Sequence, residues 1–208
     1  KTISLDRRKE LTDLEGLDYY AERDERDRVI GLSDGQKIML KAGLSRLEQL
    51  EKGFKAPHHP KMLVLCEDTS VSKEVESFLT GAEYGLAKEA VLRIDSDSKG
   101  AVKETEWKEI KEKLFNIDKH ALPKVIVSVL MLREGFDVNN VCVIVPLRAT
   151  ESSILLEQIV GRGLRLMFRE PEYAETKKEI RDALLVKKTE PKALLDLLFI
   201  IEHPRFID

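Results

Sequence analysis

The chain is poor in most of the residues that announce a function by themselves. Two cysteines stand in 208 residues, Cys66 and Cys142, each inside an apolar run. Two are too few for a disulfide framework, and their surroundings read as the core of a protein from a reducing compartment. The four histidines, His58, His59, His120 and His203, share no metal-ligand spacing, so no metal site is expected. Aromatic residues make up 6%, and the single tryptophan, Trp107, falls on a helical apolar stripe. That puts it in a core and not on a base-stacking platform. No apolar run approaches the roughly 20 residues that cross a bilayer. No leader-like segment is seen either, so a cytoplasmic location away from membranes is the expectation. The net charge is −3, which gives no global basic field for nucleic acid. A local groove is still open to a phosphate backbone, because only charges within a Debye length of about 10 Å contribute.

Three catalytic signatures are also missing. GxxxxGKS and GxxxxGKT do not occur. Gly81 to Lys88 has two glycines, but Leu86 and Ala87 separate the second from the lysine and no strand precedes the segment. It is therefore not a phosphate loop. There is no apolar strand ending in an Asp-Glu pair to hold a magnesium ion. Nor is there an Asp followed by Glu-x-Lys, as metal-dependent nucleases carry.

What is present alternates. Ser33 and Gln36 have the spacing of a capping box, opening a helix from about Asp34 to Lys52 that stops at Gly53. Apolar runs at Met62–Cys66, Val91–Ile94, Val125–Val129 and Val141–Val145 read as strands. Between them lie helix patterns: one capped by Asp68 or Thr69, with Val71, Val75, Phe78 and Leu79 as its stripe, and one from about 104 to 115 burying Trp107, Ile110 and Leu114. A helix over 170–190 and a strand near 197–201 follow. Strands that lack period-2 polarity and alternate with helices imply a parallel sheet covered on both faces. The length suits one core. The expected organisation is a charged connecting segment over 1–32, whose residues 4–28 read as a connector or a solvated helix and not as core; a main domain over 33–168; and an extension over 169–208 packing on that domain. A chain opening on Lys1 is expected to be a piece of a longer polypeptide.

The densest information lies between residues 132 and 166, LREGFDVNNVCVIVPLRATESSILLEQIVGRGLRL. Gly135 and Asp137 form a turn after one strand, and a helix then carries Gln158, Arg162 and Arg165. At about 100° per residue these three fall within about 60° of one another, opposite Leu156, Ile159, Val160 and Met167. One face suits a core and the other holds a glutamine and two permanent cations, as an anion site requires. Gly161 and Gly163 each cost a helix interior about 1 kcal/mol relative to Ala. Close packing on the apolar side and backbone approach by a ligand on the polar side would explain them. Taken singly, the same residues have plainer readings. The arginines could pair with surface carboxylates, Gly135 and Asp137 could be an ordinary strand-ending turn, and Ser128 a satisfied core hydroxyl. Thr69 could be only a helix cap. Arg148 and Arg169 read as surface residues.

Together the segments resemble the second RecA-like domain of a superfamily 2 helicase. Ser128 to Asp137 resembles motif V, Gln158 to Arg165 matches QxxGRxxR, the form of motif VI, and Met62 to Thr69 stands loosely where motif IV belongs. The wording is similar to the Res subunits of type III restriction enzymes. The resemblance covers residues 60–168 and implies an α/β, RecA-like three-layer sandwich with a mostly parallel central sheet. It implies that Arg162 and Arg165 act as arginine fingers on a triphosphate and that Gln158 couples nucleotide state to the partner domain. It implies Asp137 on the ribose hydroxyls at the Gly135 turn, and Ser128, Thr69 and Ser96 as donors to strand phosphates. ATP and Mg2+ would be held mainly by an N-terminal RecA-like domain of the same polypeptide. DNA and a methyltransferase subunit are the further partners implied, and a cutting domain would lie beyond Asp208. The alternatives are a degenerate RecA-like binding module, or another DNA or RNA helicase of the superfamily. Gln158-Ile159 replaces the His-Arg usual in DEAD-box members, and no GxGxxG fingerprint supports a Rossmann-type enzyme.

Overall fold

The computed structural model describes residues 17–54, 58–94, 112, 114, 117–129, 141–147 and 167–201. Helix α1 (Asp34–Gly53) opens on the expected capping box. The Ser33 hydroxyl accepts from the Gln36 N–H at 3.3 Å, and the Gln36 carbonyl oxygen accepts from the Ser33 N–H at 3.3 Å. Both residues are buried, so the two orphan amides are satisfied where water cannot reach them.

Five strands form one sheet: β3 (Lys61–Leu65), β4 (Val91–Ile94), β5 (Val125–Ser128), β6 (Val141–Pro146) and β7 (Phe199–Ile200). Their order across the sheet is β4-β5-β3-β6-β7, and every neighbouring pair is parallel. The architecture is α/β and RecA-like. β3, at the centre, is fully buried along its length. Successive side chains on a strand point to opposite faces, and here both faces are covered. Met62, Val64, Val125, Val127, Val143 and Val145 join a core with α1 and α2 (Thr69–Thr80). Leu63, Leu65, Ile126 and Ile144 face the other way and pack with Leu114 and Ile117. Each such side chain contributes about 1.5–3 kcal/mol when fully buried, so both layers are needed. Glu112 and Leu114 are helical, within the helix read over 104–115, whose Trp107 and Ile110 lie outside the described residues.

Lys61, at the start of β3, is fully buried. Its ammonium donates to the carbonyls of His120 (2.5 Å) and Ala121 (3.4 Å), tying down the approach to β5. Both cysteines are buried and unbridged. After α2, Gly85 takes φ +76° and Leu86 N–H returns to the Leu79 carbonyl at 2.9 Å. The segment Gly81–Lys88 thus follows a helix and closes it, which no phosphate loop does.

The amino-terminal region corrects the sequence reading. Where a solvated segment outside the core is expected, β1 (Glu22–Arg23) and β2 (Val29–Gly31) pair antiparallel, and Ala21 and Leu32 are buried in the main core. The charged run makes the turn by itself. The Asp24 carboxylate accepts from the N–H groups of Arg26 (3.0 Å) and Arg28 (2.9 Å), and Asp27 adopts φ 60°. A short acceptor at the first turn position does what a glycine loop would otherwise do.

In the carboxyl-terminal part, helix α3 (Ala174–Asp182) continues as one π turn, Ala183–Lys187, within the span expected to be helical. β7 is shorter than the apolar run suggests, but it joins the sheet beside β6.

Candidate functional site

Strand register decides which residues share an edge. Leu65 on β3 pairs with Ser128 on β5 and Pro146 on β6, and Ser128 also pairs with Ile94 on β4. The alignment continues past the strands. Cys66 N–H donates to the Ser128 carbonyl (2.8 Å), and Leu147 N–H donates to the Leu65 carbonyl (2.9 Å). The segments leaving β3, β4, β5 and β6 therefore all depart from one carboxyl-terminal edge. In open α/β sheets, ligands bind at that edge.

Two expected site residues are described there. Thr69 is the first residue of α2, but the cap is Asp68, whose Oδ1 accepts from Ser70 N–H (2.8 Å) and Val71 N–H (2.9 Å). The Thr69 hydroxyl is thus not the capping group. Ser128 closes β5 and is 2% exposed, the surrounding of a satisfied core hydroxyl at the place a phosphate-facing residue would need. Ser96 follows β4 by two residues. It lies outside the described residues, as do Gly135, Asp137, Gln158, Arg162 and Arg165.

Two further groupings went unread in the sequence, one beside the α2 cap and one at the opposite, amino-terminal edge of the sheet. The first is Arg23 on β1. Its guanidinium reaches Asp68 Oδ2 at 2.8 Å and Glu67 Oε2 at 3.7 Å, and donates to the Asp27 carbonyl at 3.0 Å. The hairpin is thereby fastened to the α2 cap. Burial pushes the Asp68 carboxyl up, but the Val71 and Ser70 amides and the Arg23 guanidinium outweigh it and hold Asp68 below the ordinary carboxylate range.

The second is a clamp on the backbone just past Arg165. Asp196 Oδ1 accepts from Met167 N–H (2.8 Å) and from Phe168 N–H (3.2 Å). Asp196 Oδ2 pairs with the Lys177 ammonium at 2.6 Å, and Lys177 also donates to the Phe168 carbonyl. The Phe168 ring is enclosed by Phe54, His58 and Tyr173, with centroids 4.4–4.9 Å away. Asp196 is 29 residues from Met167, so no local spacing could have revealed the pair.

Sheet order, parallel register and the shared carboxyl edge define a RecA-like domain. The particular family follows from sequence comparison. Residues 42–167 match the family model described as the helicase conserved C-terminal domain, and the chain belongs to that family. Over 133 residues it is 29% identical to the type I restriction enzyme EcoKI endonuclease subunit of Escherichia coli (strain K12). That alignment covers 62% of this chain and 11% of the relative, so the chain spans a small part of the protein it resembles. Among the described residues, no helix is long and apolar enough to cross a membrane.

Proposed function

We propose that this chain is the second motor domain of an ATP-dependent DNA helicase or translocase of superfamily 2, within the Res subunit of a type III restriction enzyme. The observation that carries the reading is the family match over residues 42–167, which takes in the whole QxxGRxxR segment. The Escherichia coli relative supports a restriction enzyme as the setting. That relative is a type I subunit, and it is the LREGFD and GRGLRL wording that favours type III. An intact set of Gln158, Arg162 and Arg165 argues against a degenerate binding module.

The residues fit a triphosphate better than its metal. Glu67 and Asp68, the carboxylates on the described part of the edge, are already engaged by Arg23. The partner domain would therefore hold Mg2+, which would supply charge neutralisation to the phosphates. This chain's part is electrostatic. Arg162 and Arg165 stabilise charge that develops as the γ-phosphoryl group leaves, and Gln158 faces the cleft between the domains. Asp137 would accept from ribose hydroxyls, and Thr69 and Ser96 would donate to the nucleic-acid backbone, while Ser128, 2% exposed, serves as a core hydroxyl.

The test is ATP hydrolysis by the full-length protein with and without duplex DNA, together with copurification of a methyltransferase subunit. Hydrolysis stimulated by DNA is expected, with the methyltransferase retained. A full-length protein that hydrolyses no ATP would overturn the motor reading. DNA-stimulated hydrolysis with no methyltransferase bound would keep the motor and remove the type III assignment.

A further inference from the structure

Residues 18–32 lead into this domain ahead of the family match, and they are fastened at the carboxyl-terminal edge of the sheet. We infer that this segment is a strap across the first turns of α1 and α2, with Arg23 as its latch, and that it couples the preceding polypeptide to the α2 turn bearing Thr69. The coupling rests on the reading of this chain as a second motor domain; the strap and its latch do not.

Two fastenings define the strap. At α1, Gly35 N–H donates to the Asp18 carbonyl at 3.2 Å. A Cβ on Gly35 would lie 2.7 Å from the Tyr19 ring, so the strap reaches the helix where a side chain is missing. At α2, Arg23 Nη2 meets Asp68 Oδ2 at 2.8 Å and Glu67 Oε2 at 3.7 Å. The other Asp68 oxygen accepts from the Ser70 and Val71 amides. Latch and first turn therefore share one carboxylate, and Thr69 follows it directly.

Both turns lie at the same edge. α2 leaves β3 there. Glu51, near the far end of α1, pairs with Lys124 just before β5 at 2.9 Å, so α1 runs from the carboxyl-terminal edge towards the amino-terminal one. Ala21 and Leu32, on either side of the hairpin, are buried in the main core and hold its ends. Between them β1 and β2 make a two-stranded ribbon, which is marginal in water by itself. It is stiff only while fastened. The side chains of the latch are 29% exposed at Arg23 and 38% at Asp68, so the pair can open without disturbing the core. With the latch open, the preceding polypeptide still holds the first turn of α1 but no longer that of α2.

The experiment follows hydrogen exchange and ATP hydrolysis in the full-length protein carrying Arg23→Ala. Exchange should quicken about fivefold at the Asp24 amide, which donates to the Arg28 carbonyl across the ribbon. It should stay unchanged at Gly35, Val64 and Val127. Hydrolysis without DNA should be unchanged, while its stimulation by duplex DNA should fall at least about fivefold, the lower end of coupling between sites. Arg23→Lys keeps the charge without the planar fork and should restore part of both effects. Unchanged exchange at Asp24 would overturn the latch. Quickened exchange with full DNA stimulation would leave the strap a purely structural element and overturn the coupling, as would equal losses with and without DNA. A wild-type protein without DNA-stimulated hydrolysis removes the motor reading and the coupling with it, and exchange at Asp24 then decides the latch alone. Should Arg23→Ala fail to fold, Asp68→Asn, which keeps a capping oxygen, takes its place, and no change in either measurement is the overturning result.

Discussion

Gly43 of α1 and Val145 of β6 stand so close that a Cβ on the glycine would lie 2.5 Å from Val145 Cγ2. It would also lie 2.9 Å from the Met62 sulfur. The thioether can swing aside, but the valine methyl is part of a β-branched side chain buried on the sheet and cannot. α1 therefore seats on the sheet at its missing side chain. Gly43→Ala would gain about 1 kcal/mol of helix propensity and lose about 1–3 kcal/mol to overpacking. The loss wins. A lower denaturant midpoint with an unchanged slope is expected in chemical unfolding, and a midpoint equal to or above wild type would show that the contact yields.

Gly53 on the same helix should behave in the opposite way. Nothing stands within 4 Å of where its Cβ would go, and its backbone is not left-handed. With no steric term, only the unfolded-chain entropy and helix propensity remain. Gly53→Ala should stabilise by about 0.5–1 kcal/mol in the same unfolding experiment. The pair separates packing from propensity within one helix, and two shifts of the same sign would refute that separation.

Asp68 and Arg23 make the hairpin attachment sensitive to acid. A carboxyl held below its unfolded range contributes stability that is fully present above the unfolded pKa, near 3.9, and is lost as pH falls through the folded value. Wild type should therefore lose stability between neutral pH and pH 3 faster than Asp68→Asn, which keeps a capping oxygen without the charge. Parallel stability-against-pH curves for the two proteins would exclude Asp68 as a contributor.

Cys142 should be silent to thiol reagents in the folded protein. Burial pushes its thiol up to about 12, against a small opposing hydrogen bond from the Lys61 backbone. At pH 8 that leaves about one molecule in ten thousand as thiolate. Labelling followed by mass spectrometry should find Cys142 unmodified until denaturant is added. Rapid labelling under native conditions would mean the strand opens locally.

How far the sequence could be read depended on the range of the interactions. The strands of the sheet and the Ser33–Gln36 cap were legible because each is written within a few neighbouring residues. The hairpin was not. Its turn uses Asp24 as an acceptor inside a charged run, and its attachment is Arg23 on Asp68, 45 residues away. Spacing alone assigns Gln158, Arg162 and Arg165 to one helix face, and those three lie outside the described residues. The grip of Asp196 and Lys177 on Met167 and Phe168 was not legible, because it is made through the fold. Thr69 and Ser128 were placed on the right edge of the sheet, but their burial and the capping by Asp68 depend on neighbours that the sequence does not name.

The arginines provide the last test, through the way their loss divides between binding and turnover. An arginine finger meets more charge in the transition state than in bound ATP, so removing it should lower kcat before it raises KM. In the full-length protein, Arg165→Ala should cut turnover by about a thousandfold or more while ATP affinity stays within a few-fold, as arginine fingers do. Arg162→Ala should follow it with a larger effect on binding. Arg169 is the control: it lies outside QxxGRxxR on an exposed stretch beyond the gripped Phe168, and Arg169→Ala should be near neutral. The 208-residue chain by itself should hydrolyse no ATP, since it supplies neither a phosphate loop nor a magnesium carboxylate pair. Equal activity in all three full-length variants would remove the arginine-finger assignment and leave a RecA-like binding module in its place. A fall in affinity without a fall in kcat would assign the arginines to ground-state binding of the nucleotide.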